Sequence, residues 1–128
     1  MWTVSRRISA PAEDVWRLLV DPEVWPRWGP TVVAAQIDGG FLRHGATGRV
    51  WTPVGVPLPF TITDFEPGRR WSWRVAGVPA TGHGVEGDGA ACRAWMGAPL
   101  WAPAYLPVLQ IALKRIEEMA VQSGAGGQ

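Results

Sequence analysis

The stretch "LPVLQIALKRIEEMA", Leu106 to Ala120, decides how the rest of the chain is read. Leu106, Leu109, Leu113, Ile116 and Ala120 recur at steps of three and four residues, so they share one side of a helix. Lys114, Arg115, Glu117 and Glu118 take the other side. Such a helix needs an apolar layer to cover, and the residues before it supply one. "TVVAAQI", "ATGRVWTPV", "PLPFTITDF", "RRWSWRV", "TGHGVE" and "AACRAWM" are short β-compatible runs between residues 31 and 96. Turn signals separate them at 38–40, 53–57, 66–68, 76–79 and 87–89, with Asp88-Gly89 as a direct hairpin signal. The spacing predicts an antiparallel meander with one face against the helix.

The N-terminal part completes the order. "WTVSRRI", 2–8, reads as a strand through Trp2, Val4 and Ile8, with Arg6 breaking the alternation. Pro11 sits where a helix should begin, Glu13 and Asp14 favour its first turn, and Val15, Leu18 and Leu19 form its stripe. Pro22 ends it, Asp21 can cap a second short turn, and Pro26 should limit that turn to little more than Trp25. In "DPEVWPRWGP", 21–30, one tryptophan is expected to anchor the turn against the sheet, and Trp28 to face the mouth of a cavity. The whole reads as one domain over 1–122 with a flexible tail over 123–128.

Composition narrows the function. Twelve basic and eleven acidic residues leave a net charge of +1 with no basic cluster, which disfavours nucleic acid as a partner. The single Cys92 rules out an internal disulfide, and with no secretory start the chain reads as cytoplasmic. Ala94 to Leu113 carries no charge, but Pro99, Pro103 and Pro107 interrupt it, so stable membrane insertion is not expected. His44 and His83 are the only histidines, and no motif implies a metal or a cofactor. Nine tryptophans are more than a chain this size needs; such a surplus can fill a core, and it also suits the wall of a site for a flat apolar molecule.

The stretches "ISAPAEDVWRLLVDPEVWPRWGP", "DFEPGRRWSWRV", "GHGVE" with "GDGAACRAWMG", and "LPVLQIALKRIEEMA" together resemble the START/Bet v 1-like (SRPBCC) superfamily. Within it they are most similar to the polyketide cyclase/dehydrase and lipid-transport group, over about residues 2–120. The resemblance implies an α+β helix-grip fold. In it a curved seven-stranded antiparallel sheet wraps around the long C-terminal helix, two short helices follow the first strand, and a hydrophobic tunnel lies between.

Two functions follow. One is a carrier or sensor that buries a small apolar or aromatic molecule, with Trp28, Trp51, Trp73, Trp95 and Tyr105 as lining candidates. The other is a polyketide cyclase or dehydratase acting on a poly-β-ketone. There Arg93 would steady an enolate or oxyanion, and His83 or Tyr105 would move the proton. His83, flanked by glycines that permit close approach, serves either the tunnel wall or the strand's own structure. Alternation sets Trp71, Trp73 and Val75 on one face and Arg74 on the other. Arg93 shares a face with Ala91 and Trp95, which makes it the better inward arginine, with a place on the convex face as its alternative. Monomer and homodimer both remain open.

Overall fold

The computed structural model describes residues 1–126. Its elements are β1 (Trp2–Ile8), α1 (Ala12–Val20), α2 (Trp25–Trp28), β2 (Ala34–Ile37), β3 (Thr47–Trp51) and β4 (Pro57–Glu66). They continue with β5 (Arg70–Val75), β6 (Val78–Asp88), β7 (Ala91–Ala98), a 3-10 turn (Pro103–Tyr105) and α3 (Leu106–Gly126). The strands form one antiparallel sheet in the order β1-β7-β6-β5-β4-β3-β2, so β1 closes onto β7 and every other neighbour is a hairpin or a short connection. This is the helix-grip arrangement. Of the expected tail, 127–128 lie outside the described residues, and α3 runs through 123–126.

Local chemistry explains the turns. β5 and β6 join through Ala76 and Gly77, both at positive φ (53° and 78°), the tight hairpin whose twist matches the strands. The β6–β7 turn is centred on Gly89-Ala90, one residue later than the Asp88-Gly89 pair suggests, because Asp88 already pairs with Ala91. Pro26 does not end α2 but lies within its first turn, where the missing N–H would have had no acceptor. The uncharged run 94–113 divides into the end of β7, a loop, the 3-10 turn and the start of α3. No helix among the described residues is long and apolar enough to cross a membrane.

Two bulges bend the sheet. β4 carries an extra residue between Ile62 and Asp64, and β6 carries one opposite Trp73. The first turns Phe65 inward, where it meets Trp16 of α1 at 5.8 Å. The second brings both Ala80 and Thr81 to the inner face. α3 packs on β1 and β7, and α1 lies on β6 and β7 beside it. Leu109, Leu113, Ile116 and Ala120 are buried along α3 as the three–four spacing predicts, Ala112 joins them, and Leu106 at the start of the stripe is only half-buried. Arg6, which breaks the β1 alternation, reaches the helix and pairs with Glu117 at 2.9 Å.

The tryptophans of "DPEVWPRWGP" resolve a problem at the end of α1. The last carbonyls of a helix have no partner within it. Here indoles supply one: Trp28 donates to Leu18 O (2.8 Å), while Trp25 (2.8 Å) and Trp71 (3.0 Å) both donate to Leu19 O. Trp25 also stacks on Trp71 at 5.1 Å and meets Trp73 edge-on. One segment therefore caps a helix, fills the core and shapes the cavity.

Candidate ligand-binding site

Because α3 lies toward the β1–β7 side, it does not pack on the inner face of β3 to β5. A chamber of about 260 Å³ remains there, walled by Val50, Leu58, Trp73, Val75, Trp101 and Tyr105. A recess of about 50 Å³ adjoins it toward the core, between Trp28, Trp71, Trp73, His83, Leu109 and Ala112. Thr31, Val32, Trp73, Thr81 and Tyr105 line both hollows and mark their junction. A dry cavity of about 150 Å³ already accepts benzene, so the chamber has room for a molecule of two rings.

His83 stands at the back of the recess. Its ring stacks on Trp71 at 4.0 Å and meets Trp28 edge-on at 5.9 Å. Nε2 pairs with Thr81 Oγ1 at 3.0 Å, the same oxygen that accepts the Trp73 indole N–H at 3.0 Å. Nδ1 is buried with no hydrogen-bond partner. Loss of hydration lowers the imidazole pKa to about 3, with the Trp71 backbone offsetting part of the effect. The ring is therefore neutral at ordinary pH. Its flanking glycines serve the other face: Trp95 lies over Gly84, and Ser72 with Met1 lies over Gly82. They make room for outer side chains rather than for a ligand.

Four of the residues singled out from the sequence meet at the site: Trp28, Trp73, His83 and Tyr105. Three do not. Arg93 points outward, exposed, with its guanidinium 3.3 Å from Ser5 Oγ. Trp95 shares that outer face, and Trp51 lies on the outer side of β3 while Val50 and Thr52 face in. The expectation of an inward Arg93 and Trp95 is thus corrected. The inner residues of β7 are Cys92, Ala94, Met96 and Ala98, all fully buried. Helices α1 and α3 press on that face, and the small side chains of Cys92, Ala94 and Ala98 are what such close approach requires.

Trp101 was not anticipated from the sequence as part of the site. It is 66% exposed, walls the chamber, and donates its indole N–H to Pro79 O at 3.1 Å across the edge of β6. Its signal was a tryptophan in the proline-rich "APLWAPAYLP", which a strand-to-helix connection would not otherwise need. Thr81 was legible as the residue two before His83 on one strand face. Thr31 meets Tyr105 only through the fold, its Oγ1 hydrogen-bonded to the tyrosine hydroxyl.

Residues 2–115 match the family model described as polyketide cyclase / dehydrase and lipid transport. The chain belongs to that family. No curated protein matches it. Among solved structures, a Thermobifida fusca protein has a TM-score of 0.70 at 20% identity, covering 94% of this chain and 93% of its own. A Nitrosomonas europaea protein has a TM-score of 0.69 at 19% identity, covering 96% and 95%. DynU16, from the dynemicin biosynthetic locus, has a TM-score of 0.68 at 21% identity. The match covers 96% of this chain and 47% of DynU16. At such identities these likenesses establish the fold. What this polyketide cyclase/dehydrase-family chain does with the fold depends on its own chamber.

Proposed function

We propose that the protein binds a small, uncharged apolar or aromatic molecule in the chamber, as a carrier or sensor. The observation that carries this reading is an open space of about 260 Å³ walled by indole, phenol and aliphatic side chains. Among the described residues, no Lys, Arg, Asp or Glu lines the chamber or the recess. A charged guest would lose its hydration there without gaining an opposite charge. Catalysis of cyclisation or dehydration would rest on His83 and Tyr105, since Arg93 is outside. An imidazole that protonates only near pH 3 is a poor base at neutral pH. Binding is the reading better supported.

Titration with tetralin or indane, followed by tryptophan fluorescence, tests this directly. Saturable quenching is expected, because Trp28, Trp73 and Trp101 wall the two hollows. Ala80→Phe fills the chamber from β6 and should abolish binding while the far-UV circular dichroism stays unchanged. Equal binding by the filled variant would place the ligand elsewhere and sink the proposal.

A further inference from the structure

The indoles that wall the two hollows have no N–H to spare. Trp25, Trp28 and Trp71 donate to carbonyls at the end of α1, Trp73 donates to Thr81 Oγ1, and Trp101 donates to Pro79 O. To a guest they present only ring surface. Besides Thr81 Oγ1, already engaged by Trp73 and His83, the polar groups of the junction are two hydroxyls, Thr31 Oγ1 from the segment after α2 and Tyr105 OH from the 3-10 turn, hydrogen-bonded to each other. Both line both hollows.

Two hydroxyls that share one hydrogen bond use one of their two protons. Whichever group donates, the proton of the other has no acceptor in this pair. A phenol is the stronger acid of the two, so Tyr105 is the natural donor and Thr31 is left with the free O–H. A hydroxyl that is itself accepting a hydrogen bond becomes a better donor, because the two bonds polarise one another. A ligand that covered this proton with hydrocarbon would strand it, whereas an oxygen acceptor would satisfy it.

We propose that the Thr31–Tyr105 hydroxyl pair is the polar anchor of the chamber and that it selects uncharged ring compounds carrying a carbonyl oxygen. This inference rests on the binding function proposed above. The carbonyl accepts the free O–H at the junction while its ring system occupies the space beside Trp73. No proton is transferred and no bond is made or broken. The pair also ties the loop after α2 to the 3-10 turn before α3, so the anchor sits where two chain segments meet at the chamber wall.

Calorimetric titration with a matched pair of probes, 1-tetralone and tetralin, tests it against the wild type and the Thr31→Val/Tyr105→Phe double variant. The double variant should weaken 1-tetralone by roughly threefold to tenfold, whereas tetralin, which no longer strands an O–H, should bind at least as tightly as it does to the wild type. Each single variant should lose less than the double, because the surviving hydroxyl is freed to donate. In the wild type, the carbonyl stretch of bound 1-tetralone should fall below its value in hydrocarbon solvent, which tests the bond even if the double variant fails to fold. If tetralin binds but 1-tetralone is indifferent to both hydroxyls, with an unshifted carbonyl band, the anchor is wrong and the binding function stands. If neither probe binds the wild type, both fall together.

Discussion

Acidifying the protein from pH 7.5 to pH 5.0 should cost about 2 kcal/mol of stability through His83 alone. The folded imidazole protonates only near pH 3, whereas in the unfolded chain it has its ordinary value of 6.5. A base whose pKa is depressed by folding binds fewer protons in the native state, so its neutral form stabilises the fold at high pH. That contribution is complete above about pH 6.5, falls as the pH drops toward 3, and is gone below. At pH 5.0 about 97% of unfolded imidazoles carry a proton and about 1% of folded ones do. The difference integrates to about 1.5 pH units, or about 2 kcal/mol. Urea unfolding of wild type and His83→Gln, at steps between pH 7.5 and 5.0, isolates the effect. His44 and the surface ion pairs are common to both proteins and cancel. The wild-type midpoint should fall more steeply with acid than that of the variant. Parallel curves would refute the burial argument and with it the neutral imidazole at the back of the recess.

Three other outcomes follow from particular contacts. Trp28→Phe keeps an aromatic ring but leaves Leu18 O at the end of α1 without its donor, and should lower stability by about 2 kcal/mol in denaturant melts. Gly48→Ala would drive a methyl into Gln36 O and the Phe60 ring, both held in the sheet. It should cost about 3 kcal/mol, while Gly84→Ala, opposed by a Trp95 ring on the outer face, should cost about 1 kcal/mol. The reverse ranking in thermal melts would contradict the packing described. Arg93→Ala should leave tetralin affinity unchanged within about twofold, since its guanidinium lies outside with Ser5; a large loss by calorimetry would bring Arg93 back into the site.

The arrangement of elements was legible because each signal is local. The stripe from Leu106 to Ala120, the prolines at 11 and 22 and the turn residues between short strands depend on neighbours a few positions away. β5 was legible to the level of faces, since Trp71, Trp73 and Val75 alternate against Ser72 and Arg74. β7 was not. "AACRAWMG" carries apolar residues on both faces, and its large indole favoured the face that the structure puts outside. What decides the matter is the approach of α1 and α3, which leaves room for Cys92, Ala94 and Ala98 but none for Trp95.

By itself, then, the order of residues determined a single antiparallel sheet with a long helix against it, and a chain rich in indoles. Only the tertiary structure decided where the hollow lies and what faces it. Two bulges bend β4 and β6, α3 settles toward β1 and β7, and the space left beside Trp73 is closed by Thr31, Trp101 and Tyr105 from distant segments. The physical reason is one of range. Periodicity and turn chemistry act over a few residues, whereas a cavity is the volume that packing across the whole sheet fails to fill.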